Sequence, residues 1–315
     1  MRHITASEID ELISMKIIVE VVEEVLKELS RRESVMPVRT RLTSGSTDVL
    51  IMPAYSSHFD LSTVKVVTVN NDNPKRGLPT IQGSIIAVRP ETGEVLATLD
   101  AGIVTAYRTG AASAVATKYL SRGDSMIVAV IGTGVQARYQ LLGVLTVRDV
   151  ERVRVYSRTR ERVERFVKEV MDRHSIDVKA CKSAEEAVRG ADIVITATNS
   201  PTPVVRREWL SDGTHINAIG SYKPNERELS TETITSSSVY VDHLDSAKEE
   251  AGDLIIPISE GLFSWDMVRG EIGEVAMGLK PGRTSDEELT VFKSVGVAVE
   301  DTAAVAAILR RTGLL

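Results

Sequence analysis

The chain is 315 residues long, with 38 Lys+Arg against 44 Asp+Glu and a formal net charge of −6. At about 150 residues per domain that length suggests two domains, and the acidic balance argues against a nucleic-acid partner, which needs a basic surplus. Hydrophobic residues at 43% and charged residues at 26% exclude a disordered chain. The single cysteine, Cys181, excludes an internal disulfide and a cysteine-based zinc site. It points to a reducing compartment, and the cytoplasm is the expected location. No apolar run approaches the ~18 residues that span a bilayer, so no membrane partner is expected. The opening residues lack the apolar stretch of a secretion signal.

The first forty residues read as helix. Ser14 is placed to cap a segment in which Ile17, Ile18, Val21, Val22, Val25, Leu26 and Leu29 recur at helical spacing, with Pro37 closing the pattern. Short β-type runs follow at 49–52, 64–69, 84–88 and 95–99, separated by turn signals such as Asn73-Pro74 and Thr92-Gly93. They suggest a sheet built of hairpins. Residues 101–120, rich in Ala and Thr, read as a buried or interfacial helix.

At Met126 the pattern changes. Residues 126–131 form a continuous apolar run, as expected of a strand buried on both faces of a parallel sheet. A glycine turn and a helix over 136–146 follow. Strands are expected at 153–157, 178–181, 192–197, 214–219 and 239–242. A helix with Val163, Phe166 and Val170 on one face lies among them, and Ser183 to Glu186 reads as a capping box. This alternation predicts βαβ units and a doubly wound parallel sheet. A last Ala/Val-rich helix is expected over 300–311. The fold class is thus α/β: a Rossmann domain over 121–295, plus an α+β domain formed by 1–120 together with 296–315.

Gly132, Thr133, Gly134, Val135, Gln136 and Ala137 fit G-x-G-x-x-A, after an apolar strand and at the start of a helix. Gly132 permits the tight turn, Gly134 lets backbone approach a pyrophosphate, and Ala137 keeps helix close to strand. The pyrophosphate would sit on the positive end of the helix. The next strand runs into Ser157, Arg158 and Thr159, with no acid at its tip. A carboxylate there would favour NAD by accepting from the ribose hydroxyls. An arginine fork with two hydroxyls suits a 2′-phosphate instead, so NADP(H) is the preferred cofactor and NAD(H) the alternative. Thr198 and Asn199 follow another strand end, where dinucleotides bind in open sheets, and are expected at the ribose or nicotinamide.

Three basic residues of the other domain sit in unusual settings. Lys65 interrupts an apolar strand, so it either faces water or is held in a cleft with a lowered pKa, able to act as acid or base near neutrality. Arg108 lies in the Ala/Thr-rich helix, a poor place for a charge without an anionic partner. Arg39 follows Pro37, and arginines grip carboxylates by paired charge-assisted bonds. By periodicity alone, an ion pair or a snorkelling surface charge is the simpler reading of each. The five histidines form no metal-ligand spacing, so no metal site is expected, and His215 reads as a core residue. Asp301 reads as a plain helix-start acid, with an approach to the substrate as the other reading.

In order and spacing, Met52-Pro53-Ala54-Tyr55-Ser56, Lys65, Gly77-Leu78-Pro79, Ala106-Tyr107-Arg108-Thr109-Gly110, the 132–137 turn and Gly213-Thr214-His215-Ile216-Asn217 resemble the ornithine cyclodeaminase/mu-crystallin family. The resemblance runs from about Arg39 to Asp301. It implies homodimeric Rossmann proteins that include ornithine cyclodeaminase, an archaeal type of alanine dehydrogenase, and ketimine or pyrroline-2-carboxylate reductases. It implies that Arg39, Lys65 and Arg108 hold a substrate carboxylate, with Lys65 catalytic near the reacting nitrogen. It also implies that the first domain makes the dimer contact and includes the final helix. Where cyclodeaminases carry an Asp, this chain has Tyr222, and Leu50-Ile51 replaces an arginine of the alanine dehydrogenase branch. A phenol with a pKa of ~10 is no base at neutral pH. The expected activity is therefore NAD(P)H-dependent reduction of a cyclic imino acid. Δ1-Pyrroline-2-carboxylate giving L-proline leads, with the piperideine homologue close behind. Alanine dehydrogenase is the alternative, ahead of ornithine cyclodeaminase and of a non-catalytic NADPH-binding protein.

Overall fold

The computed structural model describes residues 2–315. The chain divides into two compact units. One comprises the residues up to Ala111 with Gly296–Leu315, and the other comprises Ala112–Val295. The division falls inside a helix, nine residues before the boundary expected at 120.

The first unit opens with β1 (Arg2–Ile4), α1 (Ala6–Leu12) and α2 (Met15–Ser30). Thr5 and Glu8 close a capping box at α1, and the Ser14 hydroxyl accepts from Ile17 N at α2. Ile18, Val22, Val25, Leu26 and Leu29 form the buried stripe of α2. The helix stops at Ser30, well before Pro37, because Arg32 turns into the left-handed region at φ 61°. Five strands follow: β2 (Thr40–Ser44), β3 (Thr47–Ser56), β4 (Leu61–Val69), β5 (Ile81–Val88) and β6 (Val95–Asp100). The sheet order is β1-β6-β5-β4-β3-β2, antiparallel except for the parallel β1–β6 pair. The hairpin strands are longer than their apolar runs because polar ends such as Thr47-Asp48 and Ser62 still pair.

Burial alternates along β4: Leu61, Thr63, Lys65 and Val67 are buried, and Val66 is exposed. The buried face packs on the C-terminal helix Ala298–Thr312, which also packs on α2. The opposite face carries Leu42, Val66 and Ile86 in the open. From β6 the chain enters α3 (Ala101–Leu120), nearly all buried, which carries Arg108.

The second unit alternates strand and helix: β7 (Ile127–Ile131), α4 (Val135–Val147), β8 (Arg152–Tyr156), α5 (Arg160–Arg173), β9 (Asp177–Ala180), α6 (Ala184–Val188), β10 (Ile193–Thr196) and β11 (His215–Ala218). It continues through α7 (Thr231–Thr235), β12 (Ser238–Val241), α8 (Leu244–Glu250), α9 (Gly252–Ser259), β13 (Val268–Glu271), α10 (Ile272–Ala276) and β14 (Thr290–Lys293). All eight strands are parallel, in the order β13-β12-β14-β11-β10-β7-β8-β9. The order reverses between β7 and β10, and in open α/β sheets ligands bind beyond the carboxyl ends of the strands at such a point. Apolar cores cover the two faces, one around Val130, Leu141 and Phe166, the other around Ile131, Ile216 and Leu254. The fold is the expected α/β class. β13 and β14 are additions to the sequence reading, four residues each and partly charged.

Candidate functional site

One half of the candidate site is built at the β7–α4 turn. Gly132 has φ 114°, and a Cβ on it would lie 2.4 Å from Ala197 O. No larger residue fits between β7 and the strand end of β10. A Cβ on Gly134 would meet nothing within 4 Å, so this glycine leaves space above the helix. Gly134 is also the N-cap of the 13-residue α4 and offers no side-chain cap, leaving the first-turn N–H groups for an anion. Ala137 is fully buried against the sheet. Arg138 braces the turn from behind, donating to Thr133 O at 2.7 Å and Gly134 O at 3.0 Å, with Glu169 holding its Nε. The buried Oε1 of Gln136 has no protein partner, and Val135 is 61% exposed at the rim. An anion-binding helix end, an uncapped first turn and a glycine cradle fit a dinucleotide pyrophosphate.

Ser157, Arg158 and Thr159 follow β8, with Thr159 as the N-cap of α5. Arg158 and Thr159 are exposed, and Arg158 donates to Asn199 Oδ1 at 3.4 Å. The two segments singled out from sequence therefore meet. Thr198 is committed inward: its N and Oγ1 both donate to Glu228 Oε1 at 2.7 Å. The same carboxylate accepts from Thr196 Oγ1 and Gly220 N. Asp253 in turn accepts from the backbone of Glu228 and Leu229, and Lys293 lies 3.0 Å from Asp253. Burial raises the pKa of Glu228, with neighbouring Asp253 adding to the rise. Sequence reading passed over this cluster. Its members lie on four separate segments, and the only local sign is an acid at 253 and a lysine at 293 in apolar stretches.

The other candidate residues gather in the first unit. Lys65 is 1% exposed on the buried face of β4. Its Nζ sits 2.6 Å from Asp301 Oδ2 and donates to Thr105 Oγ1 at 3.4 Å. Arg108 donates from Nε to Asp301 Oδ1 at 3.1 Å and from Nη1 to Glu300 Oε2 at 2.7 Å. Arg39 donates from Nη2 to Gly296 O at 2.7 Å. Burial pushes the Lys65 ammonium down to about 8; Asp301 opposes the fall, and Arg108 and Arg39 add to it.

The simpler reading of Asp301, as a plain helix-start acid, is corrected. It does lie in the first turn of the C-terminal helix, but it is fully buried and bridges Lys65 to Arg108. The signal for it was present in the sequence: Glu300-Asp301 opens an Ala/Val-rich helix, as Arg108 interrupts an Ala/Thr-rich one. His215 is a buried core residue, hydrogen-bonded to Thr290 and Asn217, and burial holds its pKa down to about 3. Among the described residues no cluster of metal-ligating side chains occurs, and no helix is long and apolar enough to cross a membrane.

Fold and site together define a Rossmann-type oxidoreductase with a second α+β unit. The chain belongs to the ornithine cyclodeaminase/mu-crystallin family, whose model matches residues 2–312. It is 40% identical over 304 residues to Δ1-pyrroline-2-carboxylate reductase of Bacillus cereus, covering 96% of this chain and 93% of that one. It is similar to the solved structure of Thermococcus litoralis Δ1-pyrroline-2-carboxylate reductase in complex with NADH and L-proline. The identity there is 39% and the TM-score 0.97, covering 99% of this chain and 97% of that one. An archaeal alanine dehydrogenase dimer with bound NAD is 37% identical at a TM-score of 0.94, covering 99% and 96% of the two chains.

Proposed function

We propose that this protein reduces a cyclic imino acid, Δ1-pyrroline-2-carboxylate to L-proline, with a reduced nicotinamide dinucleotide. The observation that carries the reading is the buried cluster of Lys65, Arg108, Asp301 and Glu300 with Arg39 beside it. Lys65 and Arg108, with Arg39 beside them, bring three cations to one place in the first unit, which suits a small substrate that carries a carboxylate.

Arg39 and Arg108 grip the carboxylate and so fix the ring in one orientation. Reducing C=N adds a hydride to carbon and a proton to nitrogen. The dinucleotide, when bound, supplies the hydride. Lys65 delivers the proton, because an ammonium with a pKa of about 8 is still charged at neutrality yet gives up its proton readily. Gly132, Thr133, Gly134, Val135 and Gln136 hold the pyrophosphate, and Thr198 and Asn199 shape the nicotinamide side. Ser157, Arg158 and Thr159 receive a 2′-phosphate, which makes NADP(H) the preferred cofactor and leaves NAD(H) usable. At the position in the loop after β11 where cyclodeaminases carry an Asp, this chain has Tyr222, which favours reduction over amine elimination.

The assembly that fits is a homodimer through the outer face of the first unit's sheet, where Leu42, Val66 and Ile86 lie exposed. The working location that fits is the cytoplasm. The similarity to an alanine dehydrogenase keeps that activity as the second reading. Loss of NAD(P)H absorbance with Δ1-pyrroline-2-carboxylate, set against pyruvate plus ammonia, tests the proposal. Faster turnover of the cyclic imine supports it, and faster turnover of pyruvate and ammonia replaces it with the second reading.

A further inference from the structure

Every cation of the substrate cluster is held by one short stretch of chain, Gly296 to Asp301. Gly296 O accepts from Arg39, Glu300 takes Nη1 of Arg108, and Asp301 takes Nε of Arg108 and Nζ of Lys65. Gly296 itself has φ 78°, and a Cβ on it would lie 2.5 Å from Arg108 Nη1. The stretch ends in the first turn of the C-terminal helix, where the helix dipole favours two anions.

We propose that Asp301 is the positioning residue of this site: one buried carboxylate ties the proton donor, Lys65, to the carboxylate clamp, Arg108, at a fixed spacing and keeps the donor charged. The proposal rests on the functional reading above. The geometry behind it is a bridge. Each oxygen of Asp301 serves a different cation, from a different element, at 2.6 and 3.1 Å. Of the groups facing Lys65, Arg108 and Thr105 come from α3, Asp301 from the C-terminal helix and Arg39 from the segment ahead of β2, while Glu300 pairs with Arg108. Across the sheet Lys65 is paired with Met52 on β3 and Ile85 on β5, both uncharged. Of the two buried carboxylates of α2, Glu28 is engaged by Ser56 and Ser57, and Glu23 lies 3.1 Å from Lys27. Asp301 therefore supplies the direct counter-charge to an ammonium that burial and two arginines would otherwise discharge.

The test is the pH dependence of kcat for imine reduction. D301N keeps the size and an acceptor oxygen for Arg108 but removes the charge. Its alkaline limb is expected to move to lower pH by about one to three units. At neutral pH kcat then falls roughly two- to hundred-fold by the same shift. D301E restores the charge, and its limb is expected at the wild-type position even if kcat is lower. G296A crowds the Arg108 guanidinium instead and is expected to raise KM for the imino acid while leaving the limb in place. A wild-type limb in D301N, or a limb in D301E that follows D301N, overturns the proposal. K65A in the same assay separates the two layers: if K65A turns over normally, the functional reading falls and this inference with it. If K65A is silent while D301N keeps its limb, only the inference falls.

Discussion

Each unit buries a carboxylate cluster, and the two are used in opposite ways. In the first unit Glu300 and Asp301 bind side-chain cations, so charge meets charge in a space from which water is largely excluded. In the second unit Glu228 and Asp253 bind mainly backbone N–H groups and threonine hydroxyls, shaping the loops beyond β10 and β11. In the proposed mechanism the first arrangement sets the protonation and aim of reactive groups. The second sets the shape of backbone. Removing a charge from the first should change chemistry and its pH dependence, whereas removing one from the second should change binding.

The largest effect is expected for Lys65→Ala. Loss of a general acid costs about 10²- to 10⁴-fold in kcat, while titration of intrinsic fluorescence should find NAD(P)H affinity near that of the wild type. Arg108→Ala leaves Glu300 and Asp301 buried without their shared partner. Denaturant unfolding should show a loss of about 3–5 kcal/mol, with a raised KM for the imino acid in whatever folds. Glu228→Gln acts on the other cluster. Its amide turns an NH₂ group toward a donor that the carboxylate used to accept from, a cost of about 1–3 kcal/mol. The expected readout is roughly tenfold weaker NAD(P)H binding in a titration, with the alkaline limb of kcat unmoved. If that limb moves instead, the two clusters are not separable as described. The smallest effect is expected for Arg158→Ala, which should weaken NADPH several-fold more than NADH in paired KM measurements. Equal losses would remove Arg158 from cofactor selection.

How much was legible in the sequence follows the same division. The glycine turn was readable because everything it needs lies within six consecutive residues between a buried strand and a helix. Lys65 and Arg108 were visible as charges in apolar company, but what each one pairs with was not. Asp301 is 193 residues from Arg108 in the chain, and only the return of the C-terminal helix onto β4 and α3 brings them together. The Glu228 cluster was less legible still, since a carboxylate that accepts from backbone leaves no partner residue type to search for. The four added strands share a cause. β1, β2, β13 and β14 each place a charged residue (Arg2, Arg41, Arg269 with Glu271, and Lys293) within three to five residues, which leaves no apolar run to read.

The central claim is that a buried lysine, held charged by Asp301, donates the proton in imine reduction. It is tested most directly by kcat for Δ1-pyrroline-2-carboxylate with saturating NAD(P)H across the neutral to alkaline range. Lys65 has its pKa lowered to about 8, so its protonated form is complete below that pH and lost above it. The account predicts a plateau on the acid side, a single fall centred near pH 8, and no such fall in the residual rate of Lys65→Ala. A kcat that stays flat through this range, or the same fall in Lys65→Ala, would contradict it.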